Sequence, residues 1–131
     1  MFDLSSLRAQ LKAKREEKQR YLDTAAKIKA IYDRMSNDKA TIKNYRSDVK
    51  TFIYEDYDSF KGDLFKNKYQ AAGVNLLSGY QIVIDNLDEN MDRLNTARCE
   101  WENKAYACDP IIGHLESLIN SIVASIQNQF N

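Results

Sequence analysis

The sequence predicts an all-α protein: an elongated antiparallel helical hairpin, coiled-coil-like, with a kinked or separate third helix at its C-terminal end. Three observations carry this. The first glycine or proline is Gly62, so everything before it is free to be helical. The apolar residues before Gly62 recur on a seven-residue beat. One short break, Asp58-Ser59-Phe60-Lys61-Gly62-Asp63, then separates that pattern from a second long helical one.

The first helix is expected over about residues 3–56. Its heptad core positions are Leu4, Leu7, Leu11, Tyr21, Ala25, Ile28, Tyr32, Met35, Ile42, Val49 and Ile53. Ile31, Tyr45 and Phe52 widen the stripe at a flanking position. The beat turns polar at Lys14, Lys18, Lys39 and Arg46, whose long side chains lay their stems along a seam and keep the charge in water. Ser36-Asn37-Asp38 is the one candidate place for the helix to break and recap; the common phase on both sides favours a single helix of roughly 80 Å.

After a turn at about 57–62, the second helix is expected over about 63–108, with Asp63 as a candidate cap. Its stripe reads Phe65, Tyr69, Ala72, Leu76, Tyr80, Val83, Leu87, Leu94, Ala97, Trp101 and Cys108, with a second row of Leu77, Ile84, Met91 and Ala105. Gly73 and Gly79 weaken it by about 1 kcal/mol each relative to alanine, and allow a bend or a close helix–helix approach.

The third segment, about 110–128, follows Asp109-Pro110, read as N-cap and first helical residue. Ile111, Ile112, Leu115, Leu118, Ile119, Ile122, Val123 and Ile126 give it a wide apolar face. Heptad phase carries through Pro110, so a kinked continuous helix is an alternative. That face either folds back on the hairpin or is covered by a partner.

At 131 residues a single domain spanning 1–131 is expected. A mean hydropathy of −0.59 and 29% charged residues point to a soluble chain, and 11% aromatic residues argue against disorder. The formal net charge is zero, so no bulk attraction to nucleic acid or membrane is expected. The zero conceals an asymmetry: residues 1–50 hold 13 Lys and Arg against 7 Asp and Glu, and residues 51–131 hold 6 against 12. Two halves of a hairpin that complement each other explain this; a phosphate-binding basic helix is the rival reading. No secretory leader and no run of about 20 apolar residues is seen, which places the chain in the cytoplasm, with any export by a route without a cleaved leader.

Catalytic chemistry has little to work with. His114 is the single histidine, and its spacing from Cys99 and Cys108 matches no metal-ligand pattern. The cysteines lie nine residues apart, about 13 Å along one helix, too far for a disulfide, and read as reduced apolar fillers. Asp85, Asp88, Glu89 and Asp92 form an acidic face without the Glu-x-x-His pairs of di-metal bundles, so they read as a solvated face or as the match for the basic helix. The glycines are isolated and form no phosphate-cradling loop. No enzyme activity, cofactor or metal is expected. Eight tyrosines suit both internal packing and an interface.

The turn Ser59-Phe60-Lys61-Gly62-Asp63-Leu64-Phe65 resembles the Trp-x-Gly turn of the WXG superfamily, with Phe60 in the tryptophan place and Gly62 in the glycine place. Tyr80, Ile84, Leu87, Met91, Ala97 and Trp101, followed by a short apolar C-terminal helix, look like the longer YwqH-like members found with LXG toxins in Gram-positive type VII secretion. The resemblance implies a non-enzymatic accessory or targeting chaperone that binds the helical N-terminal region of an LXG toxin, with a second small helical accessory protein as a further candidate partner. It implies a hetero-oligomer rather than a homodimer. Ile111, Leu115, Leu118, Ile122, Ile126, Trp101 and Tyr80 are the candidate partner-binding residues. Tyr54–Asp58 and Phe52–Asp56 match the aromatic-x-x-x-acid spacing of an export signal, although before the turn rather than near the end of the second helix. A homodimeric cytosolic coiled-coil scaffold and a membrane-active helical protein are the alternatives.

Overall fold

In a computed structural model the chain forms three α-helices: α1 (Leu4–Tyr54), α2 (Asp63–Tyr106) and α3 (Asp109–Gln129). The structure describes residues 3–54 and 63–130, and side chains for 3–54 and 67–130. Among the described residues there is no strand. The architecture is a helical hairpin in which α1 packs against a bent α2–α3 helix. Packing divides it into two units, one of residues 1–29 with 95–131 and one of residues 30–94.

The fold follows from the strict heptad of α1. Its fifteen seam positions, from Leu4 through Lys14, Lys18, Lys39 and Arg46 to Ile53, alternate at three- and four-residue steps, and none is exposed. Ser36-Asn37-Asp38 does not interrupt α1. The apolar phase on both sides holds the backbone helical there, and Thr41 Oγ1 donates back to the Asn37 carbonyl at 3.1 Å. At the start of α1 the Asp3 carboxylate accepts the Ser5 N–H at 3.2 Å, a capping contact that satisfies one of the otherwise unpaired first-turn donors.

In the 30–94 unit, Ile53 meets Gly73, Phe52 meets Tyr69 and Lys39 pairs with Asp88. Residue numbers fall on one helix as they rise on the other, so the two run antiparallel. The α2 seam is shifted from the expected stripe. Leu77, Ile84 and Met91, expected as a second row, are buried, whereas Leu76 and Val83 are exposed. The seam steps through Gly73, Leu77, Tyr80, Ile84, Leu87, Met91 and Leu94, none of them exposed. Leu76 and Val83 sit one place before it, on its shoulder. A two-helix seam is only two rows wide, so Leu76 and Val83, one place before it, stay exposed.

In the 1–29/95–131 unit, α1 again runs antiparallel to its partner, with Tyr21 beside Trp101, Lys18 paired with Asp109 and Arg15 with Glu116. Leu7, Leu11, Leu115 and Ile119 form a buried cluster, flanked by Leu4, Ile112, Leu118, Ile122 and Val123. The apolar face of α3 is therefore packed against the first turns of α1.

Pro110 bends the helix rather than reversing the chain. Cys108 occupies the position before α3 with φ −75° and ψ −24°, still right-handed helical, and no side chain caps it. Asp109 is thus inside the helix and not its cap. Ala107 N–H reaches the Asn103 carbonyl at 2.9 Å, and Cys108 N–H tightens onto the Ala105 carbonyl at 3.0 Å. Proline has no N–H for the Tyr106 carbonyl, and this missing bond is the physical cause of the bend.

Candidate functional site

Two surfaces stand out, and each is described within its own unit. In the 1–29/95–131 unit a polar and aromatic chain lies along the seam. Lys14 Nζ and Tyr21 Oη both donate to the Glu17 carboxylate, each at 2.8 Å and each to a different oxygen. Tyr21 also packs at a tilt against Trp101, with ring centroids 5.8 Å apart, and Lys104 Nζ stands 4.2 Å from the Trp101 ring centre.

The electrostatics follow from these contacts. The hydrogen bond from Lys14, then that from Tyr21, holds Glu17 below the ordinary glutamate value. The same carboxylate raises Lys14 and Tyr21 above theirs. Asp109 Oδ1, 2.7 Å from Lys18 Nζ, raises Lys18. Four seam positions expected to carry snorkelling cations thus divide. Lys14, Lys18 and Lys39 end on acids, whereas Arg46 keeps a buried Nε without a hydrogen-bond partner. Lys18–Asp109, Arg15–Glu116 and Lys39–Asp88 link the basic α1 to acids of α2 and α3, as charge complementarity between the halves predicts.

In the 30–94 unit the two long edges of the helix pair differ. One edge holds Lys43 and Lys50 of α1 with Val74, Gln81 and Asp88 of α2. The other holds Tyr45 and Phe52 of α1 with Tyr69, Leu76 and Val83 of α2; the α1 row continues through the exposed Asp38 to Ile31. Phe52 and Tyr69 meet edge to face across this second edge, 5.5 Å between centroids. Beside them a cleft of about 240 Å³ is lined by Val49, Phe52, Ile53, Tyr69, Ala72, Gly73 and Leu76. Tyr45, Phe52, Leu76 and Val83 all remain exposed. This strip can bury a further apolar helix face.

The residues expected from the sequence distribute unevenly. Leu115 is buried in the core with Leu7 and Leu11, so it faces inward and not toward a partner. Leu118 and Ile122 are half-buried against the same cluster, while Ile111 and Ile126 remain exposed. Tyr80 and Trp101 are half-buried seam residues. Phe60 and Gly62 lie outside the described residues, as do Asp56 and Asp58, while Tyr54 and Phe52 are exposed at the end of α1. Cys108 is buried as a filler, with its thiol 3.6 Å from the Lys104 carbonyl, but Cys99 is exposed and fills nothing.

Among the described residues no cluster of His, Cys, Asp and Glu is arranged to hold a metal ion. Of the acidic face, Asp88 meets Lys39 and Glu89 meets Arg93, while Asp85 and Asp92 are solvent-facing. Among the described residues no helix is long and apolar enough to cross a membrane.

The sequence pattern marks Tyr45 and Phe52 as flanking residues and puts Leu76 and Val83 in the expected α2 stripe. The signal that separates them is register: Tyr69, Leu76 and Val83 repeat every seven residues one place before the buried row, as Tyr45 and Phe52 do on α1. Comparison with family models, with curated proteins and with solved structures gives no match.

Proposed function

We propose that this protein is a non-enzymatic helical accessory protein that completes a bundle with helices of a partner. The observation that carries the proposal is the apolar edge of the 30–94 unit, where Tyr45, Phe52, Leu76 and Val83 stay exposed on a two-helix layer. A layer with a third apolar row buries it by adding a helix, as amphipathic helices do when they lay an apolar face into a groove. Tyr and Phe at such an edge supply large contact area at low entropic cost.

The resemblance of Phe60-Lys61-Gly62 and the downstream pattern to YwqH-like proteins names the partner class: the helical N-terminal region of an LXG toxin, presented to a type VII secretion machine. In this reading the protein acts as a chaperone or targeting subunit. It contributes shape and apolar surface rather than chemistry. Co-expression with the N-terminal region of an LXG toxin, followed by pull-down, tests this. A stable complex with the toxin's N-terminal region is expected, and the absence of a complex would remove the secretion role.

A further inference from the structure

We infer that the 1–29/95–131 unit binds a single-chain fatty acid, with the carboxylate on Arg8 and Lys12 and the alkyl chain over Leu11 and Ile119. The site lies in a different unit from the apolar edge proposed above to receive a partner helix, and it does not depend on that edge.

A row of ion pairs between α1 and α3 stops short at this place. Along α2 and α3 acids recur every seven residues at Glu102, Asp109 and Glu116. Asp109 meets Lys18 and Glu116 meets Arg15, so the row faces the cations of α1. Within this unit the helices run antiparallel. Seven residues back from Arg15 and seven on from Glu116, the next pair in the same register is Arg8 with Val123. Val123 packs on the Leu7, Leu11, Leu115 and Ile119 cluster. No acid follows Glu116 in α3, so that helix offers Arg8 no counterpart. Among the described residues neither Arg8 nor Lys12 has an ion-pair partner.

A cleft of about 500 Å³ opens beside these two cations, within the roughly 300–1,000 Å³ of small-molecule sites. Its floor is apolar, formed by Leu11 and Ile119 of the core. Arg8, Lys12 and Arg15 line it, and their methylene stems carry the apolar surface up to the charged heads. Glu16 is the acid among the lining residues; it stands one turn past Lys12 and about 12 Å along the helix from Arg8.

These parts select the ligand. Arg8 and Lys12 are four residues apart on one helix face, close enough to grip one anion together. A carboxylate takes the guanidinium fork on its two oxygens and a further bond from the ammonium. An inorganic anion satisfies the cations but leaves the apolar floor wet. A partner helix needs a groove that runs along both helices, whereas α3 contributes Ile119 alone to this lining. One slim alkyl chain with an acid head satisfies both the cations and the floor.

The test is calorimetric titration of the full chain with laurate below its micelle-forming concentration. The proteins are the native chain, Arg8→Gln, Val123→Glu and Leu76→Glu. The native protein and Leu76→Glu are expected to bind one laurate per chain with equal affinity. Arg8→Gln is expected to bind at least about tenfold more weakly, the effect of losing one charge-assisted hydrogen-bonding partner. Val123→Glu supplies the missing acid opposite Arg8 and is expected to weaken binding as much. Arg8 is exposed, so Arg8→Gln carries the test if Val123→Glu fails to fold, with helicity followed by circular dichroism. Dodecyltrimethylammonium, a cationic head on a chain of the same kind, is expected not to bind. The inference is overturned by laurate binding that is unchanged in Arg8→Gln, by several equivalent laurates per chain, or by equal binding of the cationic amphiphile. Binding to phosphatidylglycerol vesicles without binding of laurate overturns it too. Retained laurate binding by a Leu76→Glu protein that no longer binds an LXG fragment would show the two sites to be separate.

Discussion

Gly73 faces Ile53 so closely that a methyl group built on the glycine would overlap Ile53 Cδ1 and Cγ1. Ile53 is buried at the end of the α1 seam, so a methyl group there forces its branched side chain out of its packed position. Gly79, six residues on, meets nothing. Two glycines in one helix therefore have opposite roles. Gly73→Ala gains roughly 1 kcal/mol of helix propensity but incurs about 1–3 kcal/mol of overpacking, and the net is expected to destabilise. Gly79→Ala keeps the gain and stabilises by about 1 kcal/mol. Urea unfolding of the two variants checks the opposite signs.

Among the four seam cations, Lys14, Lys18 and Lys39 reach acids, whereas Arg46 Nε is buried without a hydrogen-bond partner. A buried polar atom left unpaired costs about 1–3 kcal/mol. Arg46→Met keeps the stem and removes the penalty, so its melting temperature is expected to rise. Lys39→Met, by contrast, removes the partner of Asp88 and is expected to gain less.

Much of the hairpin was legible in the sequence because its decisive signals are local and periodic. The α1 heptad predicted all fifteen seam positions, including the polar ones, since helical geometry alone decides which residues share a face. The third apolar row on α2 was harder. Tyr69, Leu76 and Val83 and the row Leu77, Ile84 and Met91 are one residue apart, and only the position of the opposing helix decides which is covered. The fate of α3 was open for the same reason: its apolar face fits α1 or a partner equally well until Leu7 and Leu11 are seen against Leu115 and Ile119. Pro110 marked a break but could not fix the bend, which depends on Cys108 staying in the helical region.

Leu115 belongs to the protein's own core, with Leu7, Leu11 and Ile119. Leu115→Ala is therefore expected to destabilise the isolated chain by about 2–5 kcal/mol, as deletion of a buried leucine does. Ile126→Ala, at an exposed position on the same helix, is expected to change stability by less than about 1 kcal/mol. Thermal unfolding of the two variants without any partner checks the contrast.

Glu17 takes hydrogen bonds from Lys14 and Tyr21, and both favour its ionised form in the folded state. A carboxylate held below its ordinary value of 4.5 contributes stability that is full above that value and is lost as pH falls through the lowered one. Lys14, Lys18 and Tyr21 are raised, so their contribution is full below their ordinary values of 10.5, 10.5 and 10.0 and is lost as pH climbs past them. Between these limits the contribution of all four groups is constant. Glu17→Gln is expected to flatten the acid limb of a melting-temperature profile and to lower the plateau slightly.

The central claim is that the Tyr45, Phe52, Leu76 and Val83 edge receives a partner's helix. Titration of the native protein, Leu76→Glu and Ile82→Glu with the N-terminal region of an LXG toxin, the partner class proposed above, measures it most directly. The account predicts saturable binding by the native protein and by Ile82→Glu, with affinity reduced at least about tenfold in Leu76→Glu, the effect of losing one well-buried apolar anchor. Equal binding by all three proteins, or no binding by any, would contradict it.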